Sequence, residues 1–366
     1  MKSVAVIAKA LITPLGNETE TLAALFDSKS GIAIHPSKFE LRNNHAAVIK
    51  STVKSDTYHH RQRELALSVG QSVLSEANID ATDDRLAFIF ATSYGHLLDN
   101  PGDDTMSTWA IDCARDLGSS IEPIVIGTAC SAGSDALGMA SALLEDHSYD
   151  TVIIIAVDIV TEAKRLAHSG LGTMTDDTPK PFDVERNGMV LGDAAAALVL
   201  RRTTDCTSHF GELVGYGASN DASGLTTPDL SGDSVRLAIQ RAFKPAKIDA
   251  QDISVYLAHG TGTHINDEIE SKVIEDIFNQ NGRLKILGTK GALGHSLGAC
   301  GLLEFIILIH VLKKSALPPT VGLSEPMPNI KNRFREDLPV SLHTNTGITV
   351  TLGFGGFNTA LIARVG

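Results

Sequence analysis

The sequence contains little cysteine, few aromatic residues and no long apolar run. Its four cysteines lie far apart and include no CxxC pair, so neither a structural zinc site nor a disulfide framework is expected. Free thiols are typical of a reducing compartment, and we expect the protein to be cytoplasmic. The longest late apolar run, Phe305 to Leu312, is too short to cross a bilayer, so no membrane span is expected.

An excess of positive charge is also missing. The formal net charge is −12, which argues against nucleic acid or an anionic membrane as the main partner, because the field of the protein repels both. With 43% hydrophobic and 20% charged residues among 366, the chain has the composition of an ordinary globular protein. It is long enough for two domains or for one large α/β unit.

The apolar residues occur in short, continuous, often β-branched runs that alternate with helical patterns. Strands that are apolar on both faces belong in a sheet covered by helices on each side. The predicted strands are Val4–Ile7, Leu86–Phe90, Ile124–Ile126, Val152–Val157, Ala195–Leu200, Val255–Ala258 and Thr349–Leu352. The predicted helices are Arg61–Ala77, Ser134–Asp146, Asp233–Ala242, Asp267–Gln280 and Ala299–Lys313. The sequence therefore predicts a layered α/β protein.

The polar segment Thr203–Glu212 follows a predicted buried strand. We expect the boundary between two halves there, with residues 1–205 in the first half and residues 206–366 in the second. Each half begins with a strand-rich region and carries a strand, a loop and a helix with a reactive residue. This parallel suggests a duplicated fold.

Cys130 lies between a predicted strand and a predicted helix, among small residues from Ala129 to Gly133. Small residues permit a sharp turn and leave room for a substrate. A thiol at a helix N-terminus feels unpaired N–H groups, so we expect a lowered pKa for Cys130 and a role as nucleophile. A buried structural cysteine is the alternative. The other three cysteines lack this setting and are interpreted as structural.

His259 follows the predicted strand Val255–Ala258 and enters the loop GTGT. The hydroxyls of Thr261 and Thr263 suit a site that binds a polar, amide-rich chain such as pantetheine. A metal site formed with His264 and Asp267 is the alternative, but the spacing matches no familiar set of ligands.

His295 lies in a glycine-rich turn between Lys290 and an apolar helix that carries Glu304. Lys290 and Glu304 flank the histidine, and an ion pair between them would brace it. A structural histidine in a closely packed glycine-rich segment is the alternative interpretation.

The segment TVTLGFGGFNTALIA predicts two strands joined by a tight turn at Gly353–Gly356. Glycine permits positive φ angles and a close approach of the backbone to a ligand. A simple β-hairpin is the alternative.

Together these segments resemble the β-ketoacyl-acyl carrier protein synthases, the elongating ketosynthases of fatty acid and polyketide assembly. The motifs TACSAG, HGTGT, TKGALGHSLGACG and GFGGFN occur in the order of that family, and the central PFDVERNGMVLGDAAAALVL is similar as well. The resemblance implies a thiolase-like, five-layered αβαβα fold with duplicated halves. It also implies a homodimer, or a heterodimer with another ketosynthase-like chain.

The resemblance assigns a role to each matching residue. It implies that Cys130 is the acylated nucleophile and that His259 and His295 are its paired histidines. Lys290 matches the lysine of the family near the second histidine, and Glu304 matches the partner of that lysine.

The remaining matches concern the substrate. The resemblance implies that Phe354 is the gating residue and that its N–H, with that of Cys130, forms the oxyanion hole. It further implies that Thr226, Thr261 and Thr263 contact the phosphopantetheine arm.

The reaction implied is a decarboxylative Claisen condensation. An acyl chain moves from an acyl carrier protein to Cys130, and malonyl-acyl carrier protein then loses CO₂ and attacks the acyl group. The product is a β-ketoacyl chain on the carrier, and neither a metal nor a redox cofactor is required.

The chain departs from the family pattern at several positions. The stretch from Ser93 to Ile121 is shorter, Phe357 replaces a small residue, and Leu352 replaces a phenylalanine. Because the three matching catalytic residues are present, these changes concern chain length, substrate shape and oligomer partner, not the reaction. Two alternative functions remain open. One is a chain-length-factor-like partner subunit without catalysis, although such subunits usually lack the cysteine. The other is an acyltransferase or thiolase-like enzyme acting on CoA esters.

Overall fold

The computed structural model describes residues 2–50, 57–99, 102, 105–334 and 342–366. Within this part of the chain, thirteen strands occur in the order of the sequence. They are β1 (Val4–Thr13), β2 (Gly16–Asn17), β3 (Ile32–Ile34), β4 (His45–Ala47), β5 (Leu86–Ala91), β6 (Ile124–Ile126), β7 (Thr151–Asp158), β8 (Ala194–Arg202), β9 (Gly211–Asn220), β10 (Val255–Ala258), β11 (Lys285–Gly288), β12 (Thr346–Leu352) and β13 (Phe357–Arg364).

Nine α-helices connect these strands within the same ranges. They are α1 (Glu18–Phe26), α2 (Tyr58–Ala77), α3 (Met106–Asp116), α4 (Ala132–Glu145), α5 (Glu162–Gly170), α6 (Asp233–Ala246), α7 (His264–Phe278), α8 (Lys290–Leu293) and α9 (Cys300–Lys314). Among the described residues, no helix is both long and apolar enough to cross a membrane.

One large sheet is built from two five-stranded units with the same pairing pattern. The order is β6-β5-β7-β8-β1 in one unit and β11-β10-β12-β13-β9 in the other, and the short β2 pairs with β1. In the first unit β5 pairs in parallel with β6 and β7, and β8 pairs antiparallel with β7 and β1. In the second unit β10 pairs in parallel with β11 and β12, and β13 pairs antiparallel with β12 and β9. Val4–Val6 of β1 pair with Gly211–Leu213 of β9 and so join the two units into one sheet. The predicted duplication is therefore present in the topology.

Helices cover both faces of each unit and produce five layers. Side chains of α2 and α3 pack with Phe88 and Phe90 on one outer face. Side chains of α6 and α7 pack with Tyr256 and Ile348 on the opposite outer face. Helices α4 and α9 lie between the units, in a core that contains residues of β5, β7, β10 and β13. This arrangement matches the predicted αβαβα layers, because strands buried on both faces require a helical layer on each side.

The two central helices approach each other closely near their N-termini. A Cβ atom on Gly133 of α4 would lie 2.9 Å from the backbone nitrogen of Leu302, and one on Gly301 of α9 would lie 2.0 Å from Oγ of Ser134. Each helix follows a 3₁₀ turn that starts at a residue with positive φ, Ala129 at 49° or Leu297 at 44°. The same local geometry thus presents both glycine-rich motifs to the centre of the molecule.

Most differences from the sequence prediction concern ends of elements. Helix α4 begins two residues before the predicted Ser134, and α7 begins at His264 instead of Asp267. The predicted polar connection Thr203–Glu212 is wrong at its end, because β9 already begins at Gly211 and pairs with β13. The division into residues 1–205 and 206–366 stays a proposal, and it lies between β8 and β9.

Candidate active site

Cys130 lies in the 3₁₀ turn Ala129–Ser131, between β6 and α4. The turn is sharp because Ala129 adopts a left-handed conformation, which is uncommon for a residue other than glycine and is typical of strained functional turns. The Cys130 side chain is 6% exposed and lines a cavity of about 340 Å³. The sulfur is therefore shielded by protein but reachable through the cavity.

His259 and His295 lie beside Cys130 in the same cavity. Nε2 of His295 is 3.2 Å from Sγ of Cys130, and the two imidazole rings are 5.0 Å apart and nearly perpendicular. The structure thus brings together three residues that are separated by up to 165 positions in the sequence.

Burial raises the pKa of the Cys130 thiol to about 11, although the backbone N–H of Phe354 and the positive charge of Lys290 lower it in part. The sequence-based expectation of a lowered pKa is therefore wrong. A helix N-terminus favours a thiolate only while the sulfur keeps enough hydration, and at Cys130 the loss of hydration dominates. The resting pair is a neutral thiol next to a neutral imidazole.

This neutral pair predicts an unusual pH profile for chemical modification of Cys130. We expect its alkylation by iodoacetamide to rise about tenfold per pH unit to beyond about pH 9, because the thiolate fraction keeps growing below a pKa near 11. Peptide mass spectrometry at graded pH measures this rate. The same residue in the unfolded protein is the control and should level off near about pH 9. A plateau below about pH 8 in the native protein would instead indicate a thiolate–imidazolium pair.

Both histidines of the cavity next to Cys130 are held in their neutral forms. Burial lowers the pKa of His259 and that of His295 well below the ordinary value of 6.5, and the positive charge of Lys290 lowers both further. A neutral imidazole can donate a hydrogen bond from one nitrogen and accept one at the other. The site is therefore equipped for hydrogen bonding without a fixed positive charge on either ring.

Lys290 lies behind the histidines and forms a buried ion pair with Glu304. Nζ of Lys290 donates to Oε1 of Glu304 at 2.6 Å, and the Thr289 hydroxyl donates to the same oxygen at 2.9 Å. This is the contact that the sequence suggested. Neither residue lines the cavity, so the pair acts on the site through its field and through the position of the turn.

The backbone of His295 is held by the central segment of the sequence. Its N–H donates to the Val190 carbonyl at 2.7 Å, and its carbonyl accepts from the Gly192 N–H at 2.9 Å. A Cβ on Gly192 would lie 2.2 Å from the Leu293 carbonyl oxygen, so only glycine fits there. The segment around residue 190 therefore positions the backbone of His295. The contact joins residues that are far apart in the sequence, so no local sequence pattern predicts it.

The turn between β12 and β13 closes one side of the cavity. The two strands form the predicted hairpin, and Gly355 and Gly356 have φ angles of 76° and 75°. The Ser131 hydroxyl donates to the Phe357 carbonyl at 2.6 Å, which ties this turn to the turn of Cys130. The N–H of Phe354 and that of Cys130 both interact with the Cys130 sulfur. These two donors thus converge on the Cys130 sulfur.

The three predicted threonines line the same cavity towards its mouth. Thr261 is buried and its hydroxyl is 2.9 Å from that of Thr263, which is half-buried. Thr226 is exposed on a neighbouring loop. Together they make one wall of the entrance polar.

Two buried acids behind the GTGT loop have a structural function. Glu270 accepts hydrogen bonds from the N–H groups of His259 and Gly260, each at 2.8 Å. Asp267 accepts from the N–H groups of Phe182 at 2.7 Å and Gly262 at 3.2 Å. Sequence reasoning treated Asp267 as an alternative metal ligand and missed Glu270. The spacing of three residues, which places both acids on one face of α7, was the available signal.

Sequence reasoning also missed His168, which lies in the last turn of α5 and lines the cavity. Its ring stacks on that of Phe354 with centroids 5.7 Å apart. The contact joins residues far apart in the chain, and the local sequence AHSGLG gives no sign of it.

Comparison with known proteins places these features in a family. The model for the beta-ketoacyl synthase N-terminal domain matches residues 59–206, and that for the C-terminal domain matches residues 210–324. A 3-oxoacyl-[acyl-carrier-protein] synthase 2 from Rhizobium meliloti is 32% identical over 250 residues. That match covers 65% of this chain and 59% of the relative, so less than two thirds of the relative is represented.

Solved structures of other proteins have the same fold as this chain. A beta-ketoacyl synthase from Burkholderia phymatum superposes with a TM-score of 0.87 at 24% identity, over 100% of this chain and 99% of the other. A ketosynthase in complex with its chain length factor from Xenorhabdus doucetiae gives 0.82 at 22% identity, over 100% and 98%. At such identities the likeness concerns the thiolase-like fold alone. The two domain models together cover most of the chain, and the chain therefore belongs to the β-ketoacyl synthase family.

Proposed function

We propose that this protein catalyses the decarboxylative condensation of an acyl thioester with malonyl-acyl carrier protein in the assembly of a fatty acid or polyketide. The observation that carries the proposal is the contact of 3.2 Å between Cys130 and His295 in a cavity that also contains His259. A thiol, a neighbouring base and a second imidazole form the minimum set for acyl transfer followed by stabilisation of an enolate.

In the first step the Cys130 sulfur attacks the carbonyl carbon of the acyl thioester. A bond forms between Cys130 and the acyl carbon, and the bond to the carrier sulfur breaks. The thiol proton passes to Nε2 of His295 and then to the departing carrier thiolate. A base is needed because burial keeps Cys130 as a thiol. The N–H groups of Cys130 and Phe354 stabilise the oxyanion of the tetrahedral intermediate.

In the second step malonyl-carrier loses CO₂, and the electron pair of the broken carbon–carbon bond becomes an enolate. Once Cys130 is acylated, Nε2 of His295 no longer faces a thiol. The ring then donates to the enolate oxygen, together with His259, in the tautomer that carries its proton on Nε2. The enolate carbon attacks the acyl group, the bond to Cys130 breaks, and the released thiolate takes up one proton from solvent, which restores the thiol. Lys290 contributes by keeping both imidazoles neutral, and its own charge is balanced by Glu304.

The proposed partners are an acyl carrier protein and a second ketosynthase-like chain. The polar entrance at Thr226, Thr261 and Thr263 suits the amide groups of a phosphopantetheine arm. Strand β6 lies at the edge of the large sheet, and its three residues are only partly buried, so it offers unpaired backbone groups for a homodimer or heterodimer.

The function is tested with octanoyl-pantetheine and malonyl-pantetheine as probes. Intact-mass spectrometry is expected to show one octanoyl group per chain after the first probe. Addition of the second should remove it and release 3-oxodecanoyl-pantetheine with one CO₂. Both readouts follow because acylation and condensation use the same thiol.

Absence of any octanoyl adduct would contradict the proposal. If the unacylated protein also activates a second ketosynthase, a chain-length-factor-like role without catalysis replaces it. The thiol and both histidines at the cavity argue against that alternative, because a partner subunit has no need for them.

A further inference from the structure

His168 is a third histidine of the cavity, and the mechanism above does not use it. Its side chain is 8% exposed, and its ring lies against the face of Phe354 with an angle of 25° between the planes. It is close enough to His295 to influence the pKa of that residue. An imidazole at this position places a polar group in the cavity wall beside Phe354, where a purely apolar ligand would gain no hydrogen bond from it.

The Thr173 hydroxyl contacts two groups of His168, and its orientation is coupled to the position of the ring proton. The Thr173 hydroxyl donates its single proton to the His168 carbonyl at 3.2 Å. The same oxygen lies 3.0 Å from Nδ1 of His168, and while its own proton points to the carbonyl it accepts from an N–H at Nδ1. In that arrangement Nδ1 carries the ring proton and Nε2 keeps a lone pair.

The neutral form of His168 is favoured as well. Burial lowers its pKa to about 4, and the positive charge of Lys164 lowers it further. Within the described residues Nε2 has no hydrogen-bond partner, while Nδ1 is bound to Thr173. With Nδ1 protonated, this cavity-lining ring has an acceptor and no donor at Nε2.

We propose that His168 is a specificity-determining residue whose Nε2 accepts a hydrogen bond from a hydroxyl group on the acyl chain bound at Cys130. This inference rests on the proposed function, because it concerns the acyl substrate of the same cavity. A hydroxylated chain satisfies the buried acceptor, whereas a saturated chain leaves it unpaired after displacing water. The substrate class is therefore hydroxyacyl thioesters.

The test is a competition for Cys130 between octanoyl-pantetheine and its 3-hydroxy, 5-hydroxy and 7-hydroxy forms, each mixed in equal amount with the saturated probe. Intact-mass spectrometry reads the ratio of the two adducts. We expect a preference of about threefold to tenfold for the hydroxylated chain at one of these positions. The preference should vanish in His168→Phe, which keeps a ring against Phe354 but has no acceptor.

A second pair of variants separates hydrogen bonding from packing. Thr173→Val removes the oxygen that contacts Nδ1 of His168, so the preference should shrink, whereas Thr173→Ser retains the hydroxyl and should keep it. A ratio near one for all three hydroxylated probes in the unmodified protein would overturn the inference and leave the proposed function intact. A preference that survives in His168→Phe would overturn it as well. Absence of every adduct would instead overturn the proposed function, and this inference with it.

Discussion

Replacement of Cys130 by alanine is expected to abolish the acyl adduct and to lower the rate of condensation by about 10⁶-fold, the usual scale for loss of a nucleophile. No other thiol can substitute. Cys300 has its sulfur 3.4 Å from the Cys130 carbonyl, but it is fully buried and does not line the cavity. The measurement is intact-mass spectrometry with octanoyl-pantetheine, followed by quantification of 3-oxodecanoyl-pantetheine.

The same variant should retain decarboxylation of malonyl-pantetheine, because His259 and His295 are unchanged. This residual activity distinguishes loss of the nucleophile from loss of the fold. Cys206→Ala is the matched control: Cys206 is a half-buried cysteine of a connecting segment and does not line the cavity, so adduct and product should match those of the unmodified protein. An octanoyl adduct that persists in Cys130→Ala would assign the acyl group to another residue.

Sequence reasoning located the candidate site where local patterns reflect the fold. The apolar run Val255–Ala258 coincides with β10, because a short β-branched and aromatic run that is buried on both faces has few other conformations. His259 follows this strand directly and therefore lies at its carboxyl end. Small residues around Cys130 predicted the sharp turn for a similar reason: only small side chains fit where α4 meets α9.

Features set by distant contacts were not predictable in the same way. Strand β9, GELVGYGASN, contains three glycines, an alanine and a serine and has no long apolar run, and it is a strand because β13 and β1 pair with it. The pKa of Cys130 is raised by burial that the surrounding protein creates, not by its own segment. The stacking of His168 on Phe354 joins two halves of the chain. Each depends on tertiary structure that overrides a local signal.

Replacement of His259 or His295 by alanine is expected to lower the rate of malonyl decarboxylation by about 10²–10³-fold in each case, the effect of losing one donor to a developing negative charge. The two variants should differ in acylation. His295 contacts the Cys130 sulfur at 3.2 Å and is the base of the first step, so His295→Ala slows acylation too. His259 has no such contact, so His259→Ala should still form the octanoyl adduct.

An asparagine variant tests whether the alanine variant is slow in decarboxylation because it has lost a hydrogen-bond donor. His259→Asn keeps an N–H donor of similar reach and should retain more decarboxylation than His259→Ala, whereas a structural role would be disturbed equally by both. Separate rates for octanoyl transfer and for CO₂ release provide the comparison. If His259→Ala slows both steps to the same extent, His259 acts on Cys130 or on the shape of the cavity. The enolate would then be stabilised by His295 and the backbone donors without His259. The buried positive charge of Lys290, which lowers the pKa of both histidines, would become the next candidate for stabilising the enolate.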